Sequence, residues 1–167
     1  MKALSGYAEW FWLMAKNWKN VENRPKPLPR DMAFNLPIRI YLHASKSNHV
    51  QHGYDELDFI KRHLTPEQWF EFCSIDWTKF RGNIIGEITI THQMRKHSYR
   101  ESDHVDLGSQ QKELEIFMAN ADPCVSPWFF GLFGYAVKDG CLYEELIPCK
   151  GKLGFFEPDI KAGALIE

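Results

Sequence analysis

The sequence predicts an α+β fold, a small mixed β-barrel with peripheral helices. Strand-length apolar runs recur at intervals along the chain, and helix-length segments are inserted between them. At 167 residues the chain falls in the usual range of one domain with a sizeable core. We therefore expect a single domain over 1–167, with its core at about 2–157 and a C-terminal tail at 158–167.

Residues 6 to 17 place Tyr7, Phe11 and Met14, flanked by Trp10 and Leu13, on one side of a helix that should pack against the sheet. Directly behind it, Lys19-Asn20-Val21-Glu22-Asn23-Arg24 reads as a strand. Alternate side chains on a strand share a face, so Glu22 and Arg24 point one way and Val21 and Asn23 the other, with Lys19 leaning toward the pair from the entrance. Pro25, Pro27, Pro29 and Pro37 then predict an extended loop that cannot be helical. Residues 37 to 44 alternate as a strand. Residues 53 to 63 and 65 to 74 read as helices, the second opened by Thr65 as cap and Pro66 at the first helical position.

Residues 82 to 91 give the clearest buried strand. Residues 92 to 113 contain His92, His97 and His104 among many charges and no apolar period, which predicts a long surface excursion with a helix near 110 to 119. Runs at 128 to 137 and 141 to 147 flank Lys138-Asp139-Gly140, where Asp-Gly signals a hairpin turn. Gly151 and Gly154 permit a tight turn and a close backbone approach.

Twenty basic and twenty-two acidic side chains give a net charge of −2, which excludes a global field for tracking long nucleic acid and leaves room for a local basic groove. Lys16, Lys19, Arg24, Lys26 and Arg30 crowd the early segment. Cys73, Cys124, Cys141 and Cys149 are widely spaced, so neither a zinc site nor a disulfide framework is expected. The histidines show no ligand spacing either. No metal and no cofactor are expected. No run is apolar enough to span a membrane, and we expect a cytoplasmic protein with reduced thiols.

One acid between two bases can hold a phosphate or polarise a carbonyl, and the acid can move a proton if its surroundings raise its pKa. The plainer reading is a solvated ion-pair ladder. Six Trp and twelve Phe make the chain unusually aromatic; the plainer reading places nearly all of them in the core, and the other makes part of the excess a candidate pocket wall. Trp128 fits either core or base stacking, and Ser126 reads first as a turn residue before Pro127.

Five pieces occur in a fixed order: Lys2-Ala3-Leu4-Ser5 with Trp10; Lys19, Glu22 and Arg24; Ile40 through His43-Ala44; Gly82-Asn83-Ile84-Ile85-Gly86; and, after Ser126-Pro127-Trp128, the closing Lys150-Gly151-Lys152-Leu153-Gly154-Phe155. In this order the chain resembles the ASCH family of PUA-like domains. It departs from the family pattern at Glu9-Trp10-Phe11, and at Asn17 where a glycine is usual; Asn keeps access to the left-handed conformation a helix end needs. The resemblance implies a PUA-like barrel with a cleft between the first helix and the barrel, near the strand ends carrying Lys46 and Glu87.

It also implies action on single-stranded RNA, a nucleotide or a modified nucleoside. As a binding module, the cleft would stack a base on Trp10 or Trp128, contact phosphate through Lys19, Arg24 and Lys46, and read a base edge through Glu22 or Asn23, with Ser126 and Lys152 as further candidate ligand-binding residues. As an enzyme, it would be a metal-independent ribonuclease or nucleoside amidohydrolase with Lys19, Glu22 and Lys46 catalytic. Acyl-hydrolysing relatives carry a threonine nucleophile where this chain has Glu22, so that mechanism does not transfer. A third reading is a protein-interaction domain with its aromatic excess as an interface. In the first two cases Lys19 and Glu22 should form an ion pair at the mouth of a pocket.

Overall fold

Six strands form one mixed sheet in a computed structural model that describes residues 1–47, 54–95 and 126–160. They are β1 (Ala3–Gly6), β2 (Val21–Arg24), β3 (Ile38–Ala44), β4 (Asn83–Arg95), β5 (Phe133–Pro148) and β6 (Phe155–Phe156), in the spatial order β2-β5-β4-β3-β1-β6. β1 runs parallel to β3, and the other pairs are antiparallel. The two ends of the sheet face each other. Arg24 on edge strand β2 donates to the carbonyl of Ser5 on β1 at 2.9 Å, and the rings of Tyr135 on β5 and Phe155 on β6 stack with centroids 6.1 Å apart. The sheet is thus curled into a half-barrel, the mixed α+β architecture expected.

Helix α1 (Ala8–Ala15) fills the concave side. It buries more than one stripe: Phe11, Leu13 and Met14 are buried and so is Trp12, because α1 lies between the sheet and a second layer. That layer comprises α3 (Tyr54–His63), α4 (Pro66–Cys73) and a 3-10 turn at Trp77–Lys79; Trp12 meets Trp77 and Phe72 at centroid distances of 5.7 and 6.3 Å. Thr65 caps α4 as expected, accepting from the Gln68 backbone N–H while the Gln68 side chain accepts from its own, with Pro66 at the first turn. The opposite face of the sheet carries a smaller cluster of Ala3, Tyr41, Ile84, Ile147, Cys149 and Phe156. β3 is therefore buried on both faces from Ile40 to Ala44 rather than alternating.

α1 ends as a Schellman turn. The N–H of Trp18 reaches the Leu13 carbonyl at 2.8 Å, that of Asn17 reaches Met14 at 2.9 Å, and Asn17 takes a φ of 60°. Its amide group also grips Gly140 at both ends, donating to the carbonyl at 2.8 Å and accepting from the N–H at 2.6 Å.

Three sequence expectations are corrected. Residues 138–140 do not turn a hairpin; β5 is continuous, and Asp139 and Gly140 oppose Ile88 alone as a bulge, with Asp139 at a φ of 52°. Asp-Gly supplies the positive φ a bulge needs as readily as the one a tight turn needs, and the grip of Asn17 favours the bulge. Residues 92–95 belong to β4 rather than to a surface excursion, since Met94 is buried and the strand stays paired to β5 through Arg95. The remainder of that excursion, Cys124 and the helix expected near 110 to 119 lie outside the described residues. The proline-rich loop holds one helical turn, α2 (Arg30–Ala33), because Pro29 precedes it and obstructs nothing within it. Among the described residues no helix is long and apolar enough to cross a membrane.

A Cβ at Gly140 would stand 2.1 Å from the Met14 carbonyl oxygen and 2.9 Å from that of Ala15, and neither backbone atom can swing aside. Gly140→Ala should therefore cost about 1–3 kcal/mol in urea unfolding, the range of an overpacked core. A loss under about 0.5 kcal/mol would show that α1 is free to shift.

Candidate functional site

The Schellman turn reverses the chain so that Lys19 enters beneath α1 and β2 leaves along β5, with Glu22 opposite Tyr135 and Arg24 opposite Phe133. Glu22 and Arg24 share one face as the strand period requires. Asn23 points the other way and pins the loop before β5, accepting from the backbone N–H groups of Phe130 (3.0 Å) and Gly131 (2.8 Å) and donating to the Trp128 carbonyl (2.7 Å).

One carboxylate serves two cations. Glu22 Oε2 lies 3.2 Å from Lys19 Nζ, and Oε1 accepts from Arg24 Nε at 2.8 Å and forms an ion pair with Nη2 at the same distance. Lys19 also donates to the Val21 carbonyl and stands 5.4 Å from the centre of the Trp10 ring. The ion pair expected between Lys19 and Glu22 exists, but not at a mouth. Lys19 is 2% exposed, because α1 and Trp10 lie over it, and it forms the floor of a cleft of about 260 Å³. Burial lowers the Lys19 pKa, outweighing the opposing pull of Glu22, and Arg24 lowers it further. Tyr135 behind the pair is pushed up to about 12 by burial, with its hydroxyl donated to the Lys26 carbonyl at 2.8 Å.

Trp10, Lys19, Glu22 and Arg24 converge on this cleft, whose walls also include Tyr7, Glu56 and Phe130. These last three were not foreseen. Phe130 follows Trp128 in an aromatic run that could have flagged it; Glu56 arrives from α3 and carries no local signal.

The other expected residues go elsewhere. Lys46 and Lys152 line a second, larger cleft of about 910 Å³ with Ser5, His43 and Lys150, because β3 runs parallel to β1 and carries Lys46 past the Ser5 and His43 side of the sheet, while the turn before β6 brings Lys150 and Lys152 to the same place. Trp128 is 5% exposed, locked between Trp10, Phe59 and His63, so it is a core residue and offers no open face for a base. Ser126 is a turn residue: its hydroxyl donates to the Asn20 side chain at 2.5 Å and accepts from the Trp128 N–H at 3.3 Å. Glu87 pairs with Arg39 at 2.8 Å and accepts from the Tyr143 hydroxyl at 3.1 Å, away from both clefts. Among the described residues no group of three or more His, Cys, Asp or Glu is placed to hold a metal.

No family model matches the chain, and no curated protein matches it. Among solved structures, that of an ASCH protein from Zymomonas mobilis is similar at 15% identity and a TM-score of 0.38, covering 84% of this chain and 68% of that one.

The shared carboxylate makes a sharp stability prediction. Glu22→Gln leaves Lys19 buried beside the like charge of Arg24 and should cost about 3–5 kcal/mol near neutral pH, whereas Lys19→Met should cost less because Glu22 keeps Arg24. Losing Glu22 lowers the folded-state pKa of Lys19 further below its ordinary 10.5. The unfolded chain then binds more protons than the folded one between those values, so the Glu22→Gln deficit should shrink as pH rises through that window. Urea melts of both variants at neutral and alkaline pH check this; a deficit that grows with pH would contradict it.

Proposed function

We propose that the chain binds one base or nucleoside of a single-stranded RNA in the cleft between α1 and the curled sheet. The observation that carries this reading is the convergence of Lys19, Glu22 and Arg24 with the rings of Trp10 and Phe130 on one concave site. At about 260 Å³ the cleft lies just below the roughly 300–1,000 Å³ typical of small-molecule sites. It admits a base-sized group and not a stacked run. Phe130, half exposed on the wall, provides a face for stacking, and the half-buried Arg24 guanidinium provides directional donors for a base edge or phosphate oxygen. A net charge of −2 suits local capture better than long-range tracking. The unpaired thiols of Cys73 and Cys141 suit a cytoplasmic setting.

A second reading, metal-independent hydrolysis of RNA or of a modified nucleoside, draws on one further observation. A buried lysine with a lowered pKa touching a carboxylate is the kind of pair that takes part in proton transfer. In that case Glu22 takes a proton from the water that attacks the acyl carbon or phosphorus, Lys19 with Arg24 neutralises the charge developing on the substrate oxygen, and Glu22 returns the proton to the leaving nitrogen or oxygen as its bond breaks.

Purified protein incubated with a mixed RNA pool and a panel of modified nucleosides, followed by mass spectrometry, separates the two: enrichment of intact ligand marks binding, and new products mark turnover. The absence of both would favour an interaction module. For the binding reading, Phe130→Ala should weaken affinity by about 1–3 kcal/mol, the value of one base stacked on an aromatic ring, with little change in melting temperature because the side chain is 51% exposed. Unchanged affinity would remove Phe130 from the site.

A further inference from the structure

The larger cleft is not used by the reading above. We propose that it takes phosphate groups of the RNA strand whose base enters the smaller cleft; this rests on the nucleotide-binding reading. Three exposed lysines, Lys46, Lys150 and Lys152, line it against one acid, Asp159.

The remaining titratable floor carries no charge. His43 is 2% exposed and sits between two partners at 3.0 Å, the Cys149 carbonyl at Nε2 and the Ser5 hydroxyl at Nδ1. A carbonyl only accepts, so Nε2 holds the ring proton and, in the neutral ring, Nδ1 accepts from Ser5. Burial lowers the His43 pKa and keeps the ring in this form. The cationic character of the cleft is thus that of its lysines alone.

Their placement is built into the fold. A Cβ on Gly151 would stand 2.1 Å from His43 Cε1, so only glycine lets the turn carrying Lys150 and Lys152 close onto that ring. Gly82 lies beside the Lys46 stem with a φ of 78°, where a Cβ would meet Lys46 Cε at 2.9 Å. The two clefts adjoin. Ser5 lines one, Gly6 and Tyr7 line the other, and Arg24 spans the junction through its bond to the Ser5 carbonyl. A nucleic-acid strand leaving the base pocket past Ser5 and Gly6 enters the cleft that the three lysines line.

The test compares the wild type with Lys46→Gln/Lys150→Gln/Lys152→Gln and with a control carrying the same charge loss elsewhere, Lys61→Gln/Lys79→Gln/Lys138→Gln. Each is titrated with a nucleoside, a short single-stranded oligoribonucleotide and inorganic pyrophosphate over a range of salt, and melting temperatures report folding. The cleft variant should bind the oligoribonucleotide at least tenfold more weakly, with its log Kd against log salt slope flattened by about 0.7 for each phosphate that the protein no longer neutralises. Nucleoside affinity should be unchanged in both variants, and the control should keep oligoribonucleotide affinity within about twofold. Equal losses in the two variants, or none in the cleft variant, would overturn the phosphate site while leaving the base pocket standing. Pyrophosphate bound through the lysines without any binding of nucleoside or oligoribonucleotide would overturn both and mark a free-anion site. Failure of the wild type to bind any of the three ligands also overturns both.

Discussion

The carboxylate of Glu22 is the constraint on which the rest depends. Two cations, one from the turn after α1 and one from β2 itself, are paired through it in a place where neither could stand alone. A lone ammonium at the depth of Lys19 would lose its proton or pull the helix away from the sheet. Shared between Lys19 and Arg24, the acid fixes the helix end relative to β2, and Arg24 carries the connection on to Ser5 near the far edge of the sheet. Sheet curl, helix position and cleft floor thus depend on the same three side chains. Buried ion pairs of this kind add little net stability over apolar packing, so their clearest consequence is geometric: they hold polar groups at fixed positions inside a cleft.

Much of this arrangement is legible in local sequence. Asn17 in the left-handed region, Thr65-Pro66 opening α4, the shared face of Glu22 and Arg24, and the strands at 37–44 and 82–91 follow from backbone sterics and periodicity, which act over a few residues. The failures come where two local solutions are equal and a distant group decides. Asp139-Gly140 suits a hairpin or a bulge alike, and the choice is made by Asn17, more than a hundred residues earlier. Lys19 reads as a surface cation because its burial depends on Trp10 and α1 closing above it. A linear reading groups Lys46 and Lys152 with Lys19, yet β3 carries Lys46, and the turn before β6 carries Lys152, to the separate cleft beside Ser5 and His43.

The aromatic excess divides in the same way. Trp12, Trp18, Phe72 and Trp77 form an inner cluster that binds the helical layer to α1, with Lys16 lying over Trp12 and Trp18 at 5.4 and 5.3 Å and tied to Glu71. Trp10, Phe59, Trp128 and Phe130 form a second cluster that ends at the small cleft. The first is structural throughout. The second passes from a buried tryptophan to an exposed phenylalanine, which is how a core turns into a pocket wall without a break in packing.

The most direct measurement of the central claim is the titration of Lys19 itself, read by NMR of protein labelled at the lysine side-chain carbons, with and without a bound nucleoside. A buried lysine paired to Glu22 on the floor of a ligand cleft should titrate below the exposed lysines, and its resonance should shift when a nucleoside enters. A Lys19 resonance that titrates with the others near the ordinary value of 10.5, and that does not move at saturating nucleoside, would contradict both its burial and its place in the site.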